Sequence, residues 1–155
     1  TEKVKALGGI VAQVKCGYLS VVTSKAKEFC TKNNAQFLTF GANEKCVIEG
    51  VAELCRRIWA EIGEPEEIFL PLGSGTLTKG VLLGTKTAQV IGVQVGKDCD
   101  IQDKRLTVIK YHKPFEKESG FKKDFPSCEN YDLKAWEYCL KYKTKGSVFF
   151  WNVLG

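Results

Sequence analysis

The chain has 155 residues, 44% of them hydrophobic, with a formal net charge of +5. That is enough apolar material for one ordinary domain with a real core. It shows no internal repeat, no low-complexity segment, no signal-peptide pattern at its start and no apolar run long enough to span a membrane, so the expectation is a single soluble, cytoplasmic globular domain over residues 1–155.

In chain order, Ile10–Val14 (IVAQV) reads as a strand, Ser24–Lys32 as a helix and Gln36–Phe40 (QFLTF) as a second strand. A longer helix is expected over Ala42–Ile62, with Val47, Val51, Leu54, Cys55 and Ile58 on its inner side, Asn43 as its N-cap, and Gly63 followed by Pro65 as its stop. Ile68–Leu72 (IFLPL) and Val90–Val95 (VIGVQV) are apolar at most positions, the pattern of strands covered on both faces. Between them a helix starts around Thr76 to Lys79. Leu106–Tyr111 (LTVIKY) is either a strand or a helix entry, and Lys113–Asn130, with Pro114 and Pro126, is a loop with a short helix. Tyr131–Tyr142 is an amphipathic helix with Leu133, Trp136, Cys139 and Leu140 inward, and Val148–Val153 (VFFWNV) is a last strand. Strands alternating with helices across tight Gly-containing junctions argue for a parallel α/β sheet.

The positive balance does not read as a nucleic-acid surface. Lysines between Lys104 and Lys145 are interleaved with Glu116, Glu118, Asp124, Glu129 and Glu137, as on solvated helix faces, and an anionic small ligand suits the charge equally well. Seven cysteines with no C-x-x-C pair and a single histidine, His112, do not make a zinc site; they suit reduced thiols, and no metal is expected. Trp59, Trp136 and Trp151 are expected to pack, Glu49 and Glu53 to be solvated, and His112 to be structural or exposed.

Gly73-Ser74-Gly75-Thr76 joins a buried strand to a helix. In an open α/β sheet this is where ligands bind. Glycines let the backbone approach closely, successive N–H groups can share one concavity, and the following helix adds free N–H groups and its positive end. Ser74, Thr76 and Thr78 bring hydroxyls. The stretch is neither a Walker loop nor a G-x-G-x-x-G fingerprint, and on spacing alone it is equally a strand-to-helix turn that binds nothing.

The flanking residues resemble the fold-type II, tryptophan synthase β-like pyridoxal-phosphate enzymes. TEKVKALGGIVAQV and AKEFCTKNNAQFLTFGAN look like successive helix and strand segments of that family. IEGVAELCRRIWAEIGEPEEIFLPLGSGTLTKGVLLG is similar to the stretch ending in its V-P-V-G-S-G-G-T phosphate turn, TAQVIGVQVGK to the next strand, and GSVFFWNVLG to the closing I-L-F-W-H-T-G-G of the aminocyclopropane-carboxylate deaminase and D-cysteine desulfhydrase branch. Lys104–Lys145 matches least. The resemblance implies a three-layer open parallel sheet with helices on both faces, pyridoxal 5′-phosphate as cofactor, a small amino acid as substrate, and lyase or deaminase chemistry. It implies a phosphate cup of Gly73, Ser74, Gly75, Thr76 and Leu77, with Asn152 and Val153 on the ring side. Thr76 replaces the family's third Gly, Leu77 its hydroxyl-bearing Thr, and Val153 a Thr near the ring. By this resemblance one phosphate bond is either lost or made by Thr76 or Thr78, and Val153 cannot repeat the Thr's contact to the ring nitrogen, although the adjacent Asn152 is polar. Trp151 could border the ring, and Tyr111 and Tyr131 could approach a substrate.

The Schiff-base lysine of the family belongs to a segment N-terminal to Thr1, and Lys3, Lys5 and Lys79 are poor substitutes. With no methionine and Thr1 first, the chain reads as the large C-terminal portion of a longer enzyme, inert alone, its partners being the remainder of that enzyme or a partner subunit, and a second copy in a homodimer. Two further readings stand beside this one: a non-catalytic or split-subunit relative, and an unrelated α/β domain holding another phosphorylated small molecule.

Overall fold

A computed structural model of the chain describes residues 2–15, 17–144 and 146–154. The chain divides into two units, Thr1–Leu38 and Thr39–Gly155.

The first unit holds helix α1 (Glu2–Ala6) and helix α2 (Leu19–Lys32), neither of which has a buried residue. Helix α2 starts earlier than the expected Ser24, because Tyr18 takes an extended backbone and its carbonyl accepts the first N–H groups, from Val21 and Val22. Ile10–Val14 is not a strand, nor is Gln36–Phe40, which crosses from one unit to the next. A strand exists through its ladder, and among the described residues neither segment has one; β-type composition alone does not supply a partner.

The second unit is α/β. Helix α3 (Lys45–Ile62) is followed by β1 (Glu67–Leu72), α4 (Thr76–Gly84), β2 (Gln89–Gln94), β3 (Leu106–Lys110), α5 (Asp132–Tyr142) and β4 (Val148–Phe150). The sheet order is β3-β2-β1-β4 and all three pairings are parallel. Leu106–Lys110 is thus a strand. Residues 113–130 contain no helix, and the last strand stops at Phe150 rather than Val153.

Residues of one strand point alternately to the two faces, and the core follows that alternation. Ile68, Leu70 and Val90 pack with Cys55 and Trp59 of α3 and Val81 and Leu82 of α4. On the opposite face Phe69 and Ile91 pack with Cys139 of α5, and Val93 with Ala135 and Tyr138. Helices therefore cover both faces, and a fully buried Ile68, Leu70 or Val90 contributes about 1.5–3 kcal/mol. The tryptophans pack as expected: Trp59 meets Phe149 edge-on at 5.0 Å, Trp136 lies 5.1 Å from Phe150, and Trp151 lies 5.7 Å from Phe149.

Helix α3 begins at Lys45 after an extended Glu44, so Asn43 is not its cap; Gly63, at φ +82°, ends it as expected. Its buried residues are Ala52, Cys55 and Trp59, while Leu54 turns to solvent. The seam with α4 explains the shift. A Cβ on Gly80 would come 2.5 Å from Val51 Cβ, and one on Gly84 would come 2.6 Å from the Ala52 carbonyl, so the two helices meet backbone to backbone along Val51, Ala52 and Cys55. In α5, Leu133 and Cys139 are inward but Leu140 is exposed. Asp132 and Lys134 are fully buried, contrary to a solvated face, because each has its polar partners inside. Lys134 Nζ donates to the Pro114 and Phe115 carbonyls and lies over the Tyr111 and Phe115 rings.

Candidate functional site

Because every strand runs the same way, the turns after β1, β2, β3 and β4 leave one end of the sheet. From β1 the chain moves to β2 and β3, then returns to place β4 on the other side of β1. The crevice between the carboxyl ends of β1 and β4 is the switch point of this topology.

Pro71 helps to open it. Phe69 accepts from Trp151 N–H at 2.9 Å, so alternation turns Pro71 to the same side, where it offers no N–H. β4 pairs only as far as Phe69, leaving Leu70, Pro71 and Leu72 paired with β2 alone. The proline sits where a central strand has lost one neighbour, which is where it is tolerated.

Gly73, Ser74 and Gly75 follow at once, and α4 starts at Thr76. Gly75 has φ +87°, and a Cβ there would fall 2.5 Å from Cys99 Sγ. A Cβ on Gly73 would fall 3.0 Å from the Tyr131 hydroxyl. Gly75 needs glycine for conformation and for space, whereas at Gly73 only space is short, beside the Tyr131 ring. Among the described residues, the N–H groups of Ser74, Gly75, Thr76, Leu77 and Thr78 have no acceptor, as expected for a turn and the open end of a helix. The hydroxyl of Thr78 is fully buried and likewise unpartnered.

The other hydroxyls are engaged. Thr76 Oγ1 donates to the Gly41 carbonyl at 2.7 Å, and Ser74 Oγ lies 3.4 Å from the same oxygen and 3.2 Å from Thr76 Oγ1. Lys79 donates to Asn43 Oδ1 at 3.0 Å. Leu77 packs its side chain against the core beside α4, so only its backbone faces the turn's chemistry.

On the β4 side, Asn152 Nδ2 donates to the Pro126 carbonyl at 2.8 Å. The N–H groups of Val153 and Leu154 donate to the two carboxylate oxygens of buried Asp132, at 2.8 and 2.9 Å. Tyr131, next to Asp132, sets its ring against Gly73. Burial, and then the Asp132 carboxylate, push the Tyr131 phenol above its ordinary value of 10.0. Tyr131 and Asp132 thus tie the turn after β1 to the segment after β4 through the start of α5. Neither was singled out as a tie in the sequence; the only hint was a Tyr-Asp pair opening an amphipathic helix.

The remaining candidates engage partners of their own. His112 is exposed beside Tyr111 and Tyr138, and Tyr111 donates to Glu137 at 2.6 Å. Glu49 and Glu53 are exposed and lie near Lys45 and Arg56. Two open clefts, of about 480 Å³ around Lys27, Cys30 and Phe37 and about 280 Å³ around Lys79, Ile101 and Arg105, do not contain the Gly73–Gly75 turn. Among the described residues, no three His, Cys, Asp or Glu side chains gather as a metal would need, and no helix is long and apolar enough to cross a membrane.

For a phosphate group the turn fits. It has a run of N–H groups with no acceptor among the described residues and an orphaned buried hydroxyl at Thr78, while the space beside its glycines is taken by Tyr131 at Gly73 and by Cys99 and Ile101 at Gly75. For a pyridine ring the segment after β4 fits less well, since the Asn152 amide is taken and Val153 has no polar side-chain atom. No protein-family model matches the chain, and neither does any curated protein or solved structure.

Proposed function

We propose that Gly73–Thr78 is a phosphate cup, and that the phosphate is that of pyridoxal 5′-phosphate in a tryptophan synthase β-like lyase or deaminase acting on a small amino acid. The observation that carries the reading is the glycine-lined turn, with unpaired N–H groups, at the switch point of a parallel sheet. In it the backbone of Ser74, Gly75, Thr76 and Leu77 holds the anion, and Thr78 supplies the hydroxyl that Leu77 lacks. Gly73 lets Tyr131 close the floor. When bound, the cofactor supplies an electron sink for charge at the amino acid's α-carbon. This chain's own part is to anchor and orient; the lysine that bonds the cofactor is expected from a segment outside these residues.

A second reading rests on the ring side. Asn152 and Val153 are committed elsewhere or apolar, which favours a non-catalytic or split-subunit relative that kept the cup, or a domain for another phosphorylated small molecule.

Pyridoxine 5′-phosphate, which has the phosphate but no aldehyde to react with surface lysines, tests the first claim. It is expected to raise the melting temperature saturably, because a ligand bound only to the native state must stabilise it. Pyridoxine without phosphate is expected to have no effect. Equal responses to the two, or none to either, would refute the cup. Stabilisation by sugar phosphates or nucleotides as strong as by pyridoxine phosphate would favour the second reading.

A further inference from the structure

The hydroxyls of Ser74 and Thr76 and the neighbouring Lys79 ammonium all lead to one short segment, Thr39–Asn43. The Gly41 carbonyl takes the Thr76 hydroxyl at 2.7 Å and lies 3.4 Å from Ser74 Oγ, and Asn43 takes the Lys79 ammonium at 3.0 Å. Gly41 lies so close that a Cβ on it would overlap Ser74. A peptide carbonyl oxygen, like a phosphate oxygen, is a small acceptor that takes hydrogen bonds from hydroxyl and ammonium donors.

The segment is held by a few local contacts. Ala42 N–H donates to the Thr39 carbonyl at 2.9 Å, Asn43 N–H to Thr39 Oγ1 at 3.1 Å, and Thr39 Oγ1 to Glu44 at 3.0 Å. Both central residues are left-handed, Gly41 at φ +78° and Ala42 at φ +48°. For alanine that conformation is unfavourable, so the closed segment carries strain that release would relieve.

We infer that Thr39–Asn43 is a self-occupying strap: it competes with phosphate for the hydroxyls of Ser74 and Thr76 and for Lys79, and the cup fills fully only when the strap lifts. The inference rests on the phosphate-cup reading and adds to it a closed and an open state. A strap residue that favours closure must then weaken phosphate binding, and one that favours opening must strengthen it.

Three variants outside the cup test this, with inorganic phosphate and pyridoxine 5′-phosphate as titrants and far-UV circular dichroism as the check on folding. Gly41→Ala, which crowds Ser74, and Asn43→Ala, which frees Lys79, are each expected to bind roughly three- to tenfold more tightly than the parent chain. Ala42→Gly, which removes the left-handed penalty, is expected to bind roughly three- to tenfold more weakly. Equal affinity in all four folded proteins would overturn the strap and leave the cup standing. Weaker binding by both Gly41→Ala and Asn43→Ala would also overturn it, making the segment a wall of the site. Absence of binding in all four would overturn the cup and the strap together.

Discussion

Glu64 shows how much one carboxylate can organise. It stands just after the glycine that ends α3 and accepts from the backbone N–H groups of Lys86, Thr87 and Ala88 and from the Thr87 hydroxyl, between 2.6 and 3.0 Å. Burial opposes its charge, but the donors of Thr87, Ala88 and Lys86 prevail and hold its carboxyl down to about 2, against an ordinary 4.5. A depressed carboxylate stabilises the fold fully above its unfolded value, and loses that contribution as pH falls through the folded one. Glu64→Gln is therefore expected to cost about 1–2 kcal/mol near neutrality. In urea melts the gap from the parent chain should narrow as pH drops from 4.5 towards about 2; a gap that stays constant would contradict the assignment. None of this is visible in the sequence, where Glu64 is one acidic residue among several near a Gly-Pro stop, because its partners arrive from the far end of α4. The same holds for Asp132 and Lys134, whose burial depends on a loop and a chain end folding back over α5. The turn at Gly73 and Gly75 was legible, since a glycine pair between an apolar run and a helical pattern marks a strand-to-helix junction.

At the scale of elements, α4 is the piece that joins core to site. Its first turn carries Thr76, Leu77 and Thr78 of the proposed cup, its Gly80 and Gly84 lie against α3, and its last carbonyls are closed by Arg105. The guanidinium donates to Leu82 O at 2.8 Å and Thr85 O at 2.7 Å while pairing with Asp103 at 2.9 Å. A cation there complements the negative end of the helix. Gly84→Ala would drive a methyl to 2.6 Å from the Ala52 carbonyl and from Cys55 Cβ. Overpacking of this kind costs about 1–3 kcal/mol, and a denaturant midpoint should fall accordingly. An unchanged midpoint would mean that α3 and α4 do not approach this closely. Replacing Arg105 by Ala should also destabilise, by about 1–3 kcal/mol, since it frees the α4 carbonyls and leaves Asp103 without its partner; a thermal melt unmoved by the change would contradict that role. The inward faces of α3 and α5 were legible in outline from helical spacing. Leu54 was misplaced because spacing reports which residues are apolar, and not that glycines let α4 take the α3 stripe around Ala52. Leu140 was misplaced because the buried stripe of α5 takes in Asp132 and Lys134, which an apolar count passes over.

At the scale of the whole molecule, the two units differ in what they bury. Strands β1 and β2 are buried almost end to end, while α1 and α2 bury nothing. Protection from hydrogen exchange tracks buried apolar contact and shielded backbone bonds. Amides of β1, β2 and the middle of α3 are thus expected to exchange slowest, and those of α2 fastest among the helices of ten or more residues; slow exchange in α2 would show that its exposed face is covered in solution. The sheet was legible from Ile68 onward, where apolar runs, glycines and helical spacing agree. It was not legible before that, because IVAQV and QFLTF have strand composition but no partner within the described chain.

The central claim is that Gly73–Thr78 holds phosphate, and an amide-resolved titration tests it most directly. With inorganic phosphate and then pyridoxine 5′-phosphate added to ¹⁵N-labelled chain, the account predicts saturable shifts concentrated at Ser74, Gly75, Thr76, Leu77 and Thr78, whose N–H groups have no acceptor among the described residues. Shifts that never saturate, or that fall on scattered lysine-rich surface and leave these five amides unmoved, would contradict it.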